Sequence, residues 1–477
     1  MKRRDFDMVV IGGGAGGLFA ATAATLLGAK TCIVEKRRLG GDCTWSGCVP
    51  SKALLKSASV VHLVGRTAEF GLGIQGDFVV SSHNVMAHVR RIMHEVSTHE
   101  TAEVIEEKGT TVVFGSPHFV DEETIRVRDE AIRFKKCVIS TGSRPVTPAI
   151  EGLGKIDYLT NENVFDLETL PEDMIILGGG PVGVELAQAL QRLGVRIFLV
   201  EMMETILFRE DREMAEILER KFNSEGIEIL TGRKAVKFTQ SDGIVYATLE
   251  DKNKNVQQIS GERVLVAVGR APNTEGLGLE RCGVASTPEG ITVGAHLETT
   301  NRNIFACGDV VGPYLFSHMA AYQAQICVRN ALFSRPLWQK ANYDNAGWAL
   351  FTEPELAHLG STEEEARRKH KNIRIYRTSF SECDRAITDV AKEGLVKVIV
   401  NKKGLILGAH VVGTGASETI QGFLIAKSLK IPLSKISEVV FIYPTLSEVV
   451  KTTATKALLE KLNNRWVKSL LKLVKKI

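Results

Sequence analysis

Residues 7–17 read DMVVIGGGAGG and residues 173–183 read DMIILGGGPVG, two spellings of one phrase. Outward from each, the grammar continues in step. A small-residue helical run and then TCIVEK from Thr31 follow the first; VELAQALQRLG and then VRIFLVE, ending at Glu201, follow the second. Gly12 to Gly178 is a step of 166 residues, and so is Glu35 to Glu201. An apolar strand, a glycine turn, a helix, a second strand and a terminal acid therefore occur twice in matching register, which marks an internal repeat of one βαβ unit.

Gly12, Gly14 and Gly17 form G-x-G-x-x-G, and so do Gly178, Gly180 and Gly183. The first glycine allows a tight turn, the second lets backbone approach a pyrophosphate, and the third lets the helix pack closely on the strand. The phosphates then sit at a helix N-terminus, where unpaired N–H groups and the helix dipole favour negative charge. Glu35 and Glu201, ending the second strand of each unit, are set to accept hydrogen bonds from a ribose diol. One such glycine pattern is weak evidence. Two, each with strand, helix and acid in place, predict an α/β chain with two Rossmann-like dinucleotide-binding domains. Two dinucleotide sites in one chain imply electrons passing between two cofactors, most simply NAD(P)H and FAD. Met202 and Met203 follow Glu201 with no adjacent Arg, and a carboxylate there repels a 2′-phosphate, so NADH is the expected reductant.

Three further apolar runs end in turn signals: CVISTGSRP from Cys137, VLVAVGRAPNT from Val264 and IFACGDVVGP from Ile304. From about Asn345 the chain changes to β-rich runs and then helices, and a domain boundary is expected there. A length of 477 residues predicts about three domains. The composition, 44% hydrophobic and 24% charged, is that of an ordinary globular protein. No apolar run is long enough to span a membrane, and the basic start lacks a signal segment, so the cytoplasm is the expected compartment. The net charge of +4 is unevenly spread: residues 451–477 hold eight Lys/Arg and one Glu, a local +7. A single basic terminus is not the surface-wide patch of a nucleic-acid-binding protein. In that tail Leu459, Leu462, Trp466, Leu470 and Leu473 recur at helical spacing, with Lys461, Arg465, Lys468, Lys472 and Lys475 on other faces. A helix docked on its own protein is the first reading, and contact with an anionic membrane surface the second.

Eight cysteines in so long a chain are not a disulfide scaffold. Cys32, Cys137 and Cys307 lie in apolar stretches and are expected to be buried. Cys43 and Cys48 differ, for they sit in GGDCTWSGCVPSK, a glycine-rich entry to a helical run. A helix starting near Cys48 lowers that thiol's pKa toward the reactive thiolate. No second Cys or His pair stands at ligand spacing, so no metal site is expected.

With the rest of the chain, this stretch resembles the class I pyridine nucleotide–disulfide oxidoreductases: dihydrolipoamide dehydrogenase, glutathione reductase and mercuric reductase. GGGAGG, GGDCTWSGCVPSK, STGSRP, GGGPVGVE, VGRAPNT, ACGDV, FTEPELAHLG and YPTLSE follow in the family's order over essentially the whole length. The resemblance implies an FAD-binding domain in residues 1–150 and 279–345, an NAD(P)-binding domain in 151–278, and an α+β dimerisation domain in 346–477. FAD is then expected at Gly12, Gly14, Gly17, Glu35, Lys52, Gly115, Thr141, Gly142 and Asp309. NAD(P)H is expected along Gly178, Gly180, Gly183, Glu201 and Gly269. Cys48 takes the part of the thiolate beside the flavin and Cys43 that of the interchange thiol, with Lys52 and Glu185 an ion pair near the flavin. A homodimer is implied, in which Tyr443 and Glu448 face the partner subunit's Cys43.

One departure bears on the acceptor. Disulfide reductases of this kind carry His where YPTLSE has Tyr443. Imidazole, with a pKa of about 6.5, shuttles protons near neutrality; phenol, at about 10, stays protonated and is a poor base. General acid–base catalysis is typically worth about 10²–10⁴-fold, so turnover of lipoamide or glutathione is expected to be weak. Mercuric reductases resemble the chain in having Tyr there, because a soft metal ion binds thiolates without a general base. No Cys pair follows Cys383 and no metal-binding module precedes the first strand, which departs from that branch. The stretch SECDRAITD around Cys383 resembles mercuric reductases more than lipoamide dehydrogenases, and Cys383 is a candidate third thiol. Trp45, between the redox cysteines, is unusual for the family: it narrows access, stacks near the flavin or simply packs. The leading expectation is an NADH-dependent flavin/disulfide reductase acting on a soft metal ion such as Hg(II) or Cu(II), or on a small oxidant. A dihydrolipoamide dehydrogenase working without its histidine, and a redox sensor or electron-transfer module, are the alternatives.

Overall fold

The computed structural model describes residues 2–76 and 78–463. The strand Lys2–Ile11 is apolar at consecutive positions near its end, as a strand covered on both faces requires. Met8, Val9, Val10 and Ile11 are all at most 1% exposed. It pairs in parallel with Thr31–Glu35 on one edge and with Glu130–Ile139 on the other. Thr111–Phe114 extends the sheet beyond Thr31–Glu35, and Ile304–Ala306, from far along the chain, adds in parallel beside Glu130–Ile139. Thr124–Val127 and Pro117–Asp121 continue it antiparallel.

A second, fully parallel sheet runs Glu228–Leu230, Arg196–Val200, Asp173–Leu177, Arg263–Val266. Its register reproduces that of the first. Met8 faces Thr31 and Ile11 faces Val34; Met174 faces Ile197 and Leu177 faces Val200. The helices that follow, Ala15–Leu26 and Pro181–Arg192, also correspond end for end. The sequence repeat is thus a structural repeat, residue for residue.

The two helices pack differently. Gly16, Gly17, Ala20, Ala21 and Ala24 form the buried side of Ala15–Leu26, small enough for close packing on the helix Ser317–Leu332. Pro181–Arg192 buries every residue from Gly183 to Leu190 and packs on the helix Cys48–Gly65.

From Gly347 a five-stranded antiparallel sheet runs Gly347–Leu350, Glu355–Gly360, Ile406–Gly413, Leu395–Asn401, Ile373–Ser379. Helices Gln421–Ser428 and Glu448–Leu462 pack on it around fully buried Phe380 and Phe423. Charged groups tie it to the second sheet's layer. Buried Lys397 lies 2.9 Å from Asp211, 3.0 Å from Glu213 and 2.8 Å from Glu363, and Arg192 bridges Glu225 and Glu353. An ammonium removed from water keeps its charge at tolerable cost only with such partners.

Among the described residues no helix is long and apolar enough to cross a membrane. Leu459 and Leu462 are exposed on the helix Glu448–Leu462, while Trp466, Leu470 and Leu473 of the basic tail lie outside the described residues. Cys32, Cys137, Cys282, Cys307 and Cys327 are completely buried.

Candidate active site

Each glycine motif builds a cradle open at one place. Gly12 and Gly178 take φ of +105° and +107°, and a Cβ on them would lie 2.2 Å from the Ser140 carbonyl oxygen and 2.4 Å from that of Ala267. On Gly17 and Gly183 it would meet the first glycine's carbonyl oxygen at 1.8 and 1.9 Å. The middle glycines differ: Gly180 has no such neighbour within 4 Å, and Gly14 has only the Gly41 Cα at 3.7 Å. No side chain caps the helix behind Gly14 or Gly180, so the first N–H groups are left for an anion. Glu35 accepts the Gly13 N–H at 2.6 Å and the Arg37 N–H at 2.7 Å; Glu201 accepts Gly179 at 2.7 Å and Met203 at 2.8 Å. Each carboxylate is thereby fixed at its strand end with lone pairs to spare for a diol. These features fit two dinucleotides.

The remaining expected contacts border the first cradle or join the two units. Gly115, at φ +154°, donates its N–H to the Glu35 carbonyl at 2.9 Å. The Thr141 hydroxyl donates to the Asn273 carbonyl at 2.7 Å, and Gly142 and Gly269 adopt positive φ. Asp309 accepts the Ser143 hydroxyl at 2.6 Å, while burial raises its pKa. Arg270, which sequence reasoning passed over beside Gly269, is the hub of this region. It pairs with Asp42 of the cysteine loop, donates to Ser143 and Asn161, and lies 3.8 Å from Asp309. Its only signal was its place in VGRAPNT.

Cys43 lies on the short helix Gly41–Trp45, and Cys48 is the first residue of the 18-residue helix Cys48–Gly65. Left-handed Gly40 and Gly41 turn the chain into this loop, and a Cβ on Gly41 would lie 2.6 Å from the Gly14 Cα, so the cysteine loop abuts the first cradle. Both cysteines are free thiols. A hydrogen bond from Cys43, and after it the Ser317 hydroxyl and the Lys52 charge, outweigh desolvation and bring the Cys48 thiol down to about 6. That same hydrogen bond, and then burial, push Cys43 up. Helix-start placement acts on Cys48 in the same direction. The arrangement favours the thiolate at Cys48 over that at Cys43. Ser317, 3.6 Å from the Cys48 sulfur, comes from 269 residues away and gave no sequence signal.

One turn into the same helix, Lys52 meets Glu185 at 2.8 and 3.1 Å. Glu185 also accepts the Phe351 N–H at 2.8 Å, and the Lys52 ammonium lies over the Phe351 ring. Trp45 packs: its indole N–H donates to the Leu39 carbonyl at 2.6 Å, Arg38 covers one face, and His94 meets its edge.

Tyr443 is 64% exposed, and among the described residues no hydrogen bond joins it to Cys43 or Cys48 of its own chain. Its hydroxyl donates to Asp384 at 2.9 Å, which holds its pKa above the usual phenol value. Glu448 begins the helix Glu448–Leu462 nearby. Cys383 is 3% exposed and donates to the Thr445 carbonyl, so it supports the YPT turn from beneath and is not an accessible third thiol.

Residues 6–330 match the family model described as pyridine nucleotide-disulphide oxidoreductase, and residues 347–454 match that family's dimerisation domain. A dihydrolipoyl dehydrogenase of Rhizobium etli is 32% identical over 469 residues, 94% of this chain and 96% of that protein. A mercuric reductase of Bacillus cereus is 30% identical over 449 residues, 94% of this chain and 70% of that protein. Among solved structures, the Cu(II) complex of the HOCl-induced flavoprotein disulfide reductase RclA from Escherichia coli superimposes with a TM-score of 0.83 at 25% identity, covering 95% of this chain and 99% of that one. Two fitted cradles, a dithiol at a helix start and these matches agree: the chain belongs to the pyridine nucleotide-disulphide oxidoreductase family, FAD-dependent enzymes that use NAD(P)H.

Proposed function

We propose that this enzyme takes electrons from NADH and delivers them through Cys43 and Cys48 to a soft metal ion such as Hg(II) or Cu(II). The carrying observation is that position 443 holds a phenol whose proton is donated to a carboxylate, which leaves no group there to move protons near neutral pH. The similarity to a mercuric reductase and to a Cu(II)-bound flavoprotein disulfide reductase supports the same acceptor class. The comparable identity to a dihydrolipoyl dehydrogenase favours a dithiol couple as the second reading.

In this reading residues 1–150 and 279–345 hold FAD, residues 151–278 hold NADH, and residues 346–477 pair two subunits. FAD held at the Gly12–Gly17 turn and Glu35 would supply two-electron chemistry between NADH and the Cys43–Cys48 disulfide. The chain's own groups do the rest. The Gly14 and Gly180 turns receive pyrophosphates, and Glu35 and Glu201 orient riboses. Glu185 and Phe351 hold Lys52 at a fixed point one turn from Cys48, where its charge favours the thiolate. Buried Glu201, with exposed Met202 and Met203 beside it, disfavours a 2′-phosphate. Two electrons leave the Cys48 thiolate and Cys43 thiol as their S–S bond re-forms, and the Cys43 proton is released. Those electrons reduce one Hg(II) to Hg(0) or two Cu(II) to Cu(I).

The test is anaerobic NADH oxidation driven by Hg(II) or Cu(II) in wild type and in Cys43→Ser and Cys48→Ser. Loss of metal-dependent turnover in both variants is expected. Undiminished turnover in either would mean electrons reach the metal without the dithiol.

A further inference from the structure

The segment SECDRAITD grips the turn that carries Tyr443 at two points. Buried Cys383 donates its S–H to the Thr445 carbonyl, and the Asp384 carboxylate accepts the Tyr443 hydroxyl proton at 2.9 Å. The contact spans 59 residues and joins the start of the short helix Asp384–Thr388 to the turn that carries Tyr443. A carboxylate can only accept and a phenol has one proton to give, so the bond has a fixed sense. The Tyr443 O–H points at Asp384 along the protein surface, and the oxygen's lone pairs point away from it.

On the chain leading into Tyr443 the side chains are apolar and bare. Val439, Val440 and Ile442 are 54%, 91% and 79% exposed. They lie within the segment that matches the dimerisation domain, which marks this face as one that a second copy of this chain would cover. Docking of that copy would remove water from the exposed Tyr443–Asp384 pair and strengthen its charge-assisted hydrogen bond. Glu448, at the nearby helix start, adds a second negative charge on the same side.

We propose that Asp384 is a positioning residue for Tyr443, and that the pair presents an electron-rich oxygen backed by negative charge, a device for admitting a cation to the dithiol. This rests on the metal-acceptor reading above and names the residue that sets it. Asp384 moves no proton and touches no reacting atom; it decides which way the phenol faces and what charge stands behind it.

The experiment compares wild type, Asp384→Asn, Tyr443→Phe and the double variant as FAD-loaded enzymes. NADH oxidation is measured with Cu(II), and again with ferricyanide as an anionic acceptor. Asp384→Asn keeps the side chain's shape, and retained FAD and an unchanged melting temperature establish that it folds. The ratio of kcat/KM for Cu(II) to that for ferricyanide is expected to fall about tenfold in Asp384→Asn. It is expected to fall no further when that change is added to Tyr443→Phe, because both remove one device. An unchanged ratio, or effects that simply add, would overturn the proposal. If wild type turns over neither Cu(II) nor Hg(II), the metal-acceptor reading fails by itself. Titration of the phenol, identified as the phenolate absorbance missing in Tyr443→Phe, then decides the Asp384 assignment alone. A lower midpoint in Asp384→Asn upholds it, and an equal midpoint rejects it.

Discussion

Phe19 and Glu185 occupy the same place in the two copies of the βαβ unit, each seven residues past the first glycine of its motif. Backbone, register, glycine angles and the Glu35 and Glu201 hydrogen bonds repeat almost without change between the copies. The outer faces of the helices do not. Phe19 is 40% exposed on a helix whose inner face is made of Gly and Ala, whereas Glu185 is 7% exposed and holds Lys52 beside the dithiol. In the proposed reading the motif fixes how a nucleotide is held, and a helix position outside the motif fixes what stands beside it. In that reading the second copy joins the reaction site through Glu185, which has no counterpart in the first.

The widest separation between the copies should come from the glycines. Gly12→Ala and Gly178→Ala each place a Cβ against a carbonyl oxygen at a positive φ, a cost of about 3 kcal/mol or more. Gly12→Ala is expected to purify without flavin. Gly178→Ala is expected to stay yellow yet show an NADH KM raised by about a hundredfold. If both lose flavin, the copies are not independent sites.

Glu185→Gln sharpens the contrast with Phe19. It removes the charged partner of a half-exposed Lys52, and NADH-driven flavin reduction in a stopped-flow instrument should slow by about tenfold. Phe19→Leu should leave that rate within about twofold, as an exposed position outside the chemistry allows. Equal losses would dissolve the comparison.

Nucleotide choice separates Glu201 from Glu35. Replacing Glu201 by Ala and Met202 by Arg should shift the NADH-to-NADPH ratio of kcat/KM toward NADPH by about tenfold. The same exchange at Glu35 and Lys36 should not alter that ratio.

The smallest effect concerns pH. Because the Cys48 thiol lies near 6, below its ordinary value, its thiolate persists above that pH and is lost as pH falls through it. Thiolate absorbance of the reduced protein should therefore drop by about one sulfur's worth between roughly pH 7 and 5. A drop centred near 9 would remove the Cys43, Ser317 and Lys52 assistance from the account.

What the sequence made legible follows the range of the forces involved. Glycine turns, continuous apolar strands and the cysteine loop are encoded within about thirty residues, so the repeat and both cradles are legible in the sequence alone. Burial of Cys32, Cys137 and Cys307 followed from their apolar neighbours. The contacts that tune the site are long-range. Ser317 reaches Cys48 across 269 residues, Arg270 reaches Asp42 across 228, and Tyr443 reaches Asp384 across 59. No local periodicity records such meetings, because tertiary packing alone makes them. Trp45 shows the converse: an unusual residue between two functional ones has packing partners that account for it.

The proposed function has Tyr443, tied to Asp384, leaving the dithiol suited to metal ions and ill suited to disulfides. Its most direct test is anaerobic NADH oxidation by the wild-type enzyme with lipoamide, Hg(II) and Cu(II) under one set of conditions. Turnover with a metal ion exceeding that with lipoamide by about a hundredfold is the predicted result, at the lower end of what a general base is worth. Brisk lipoamide turnover would contradict it, and would mean that another group takes the place of the missing imidazole.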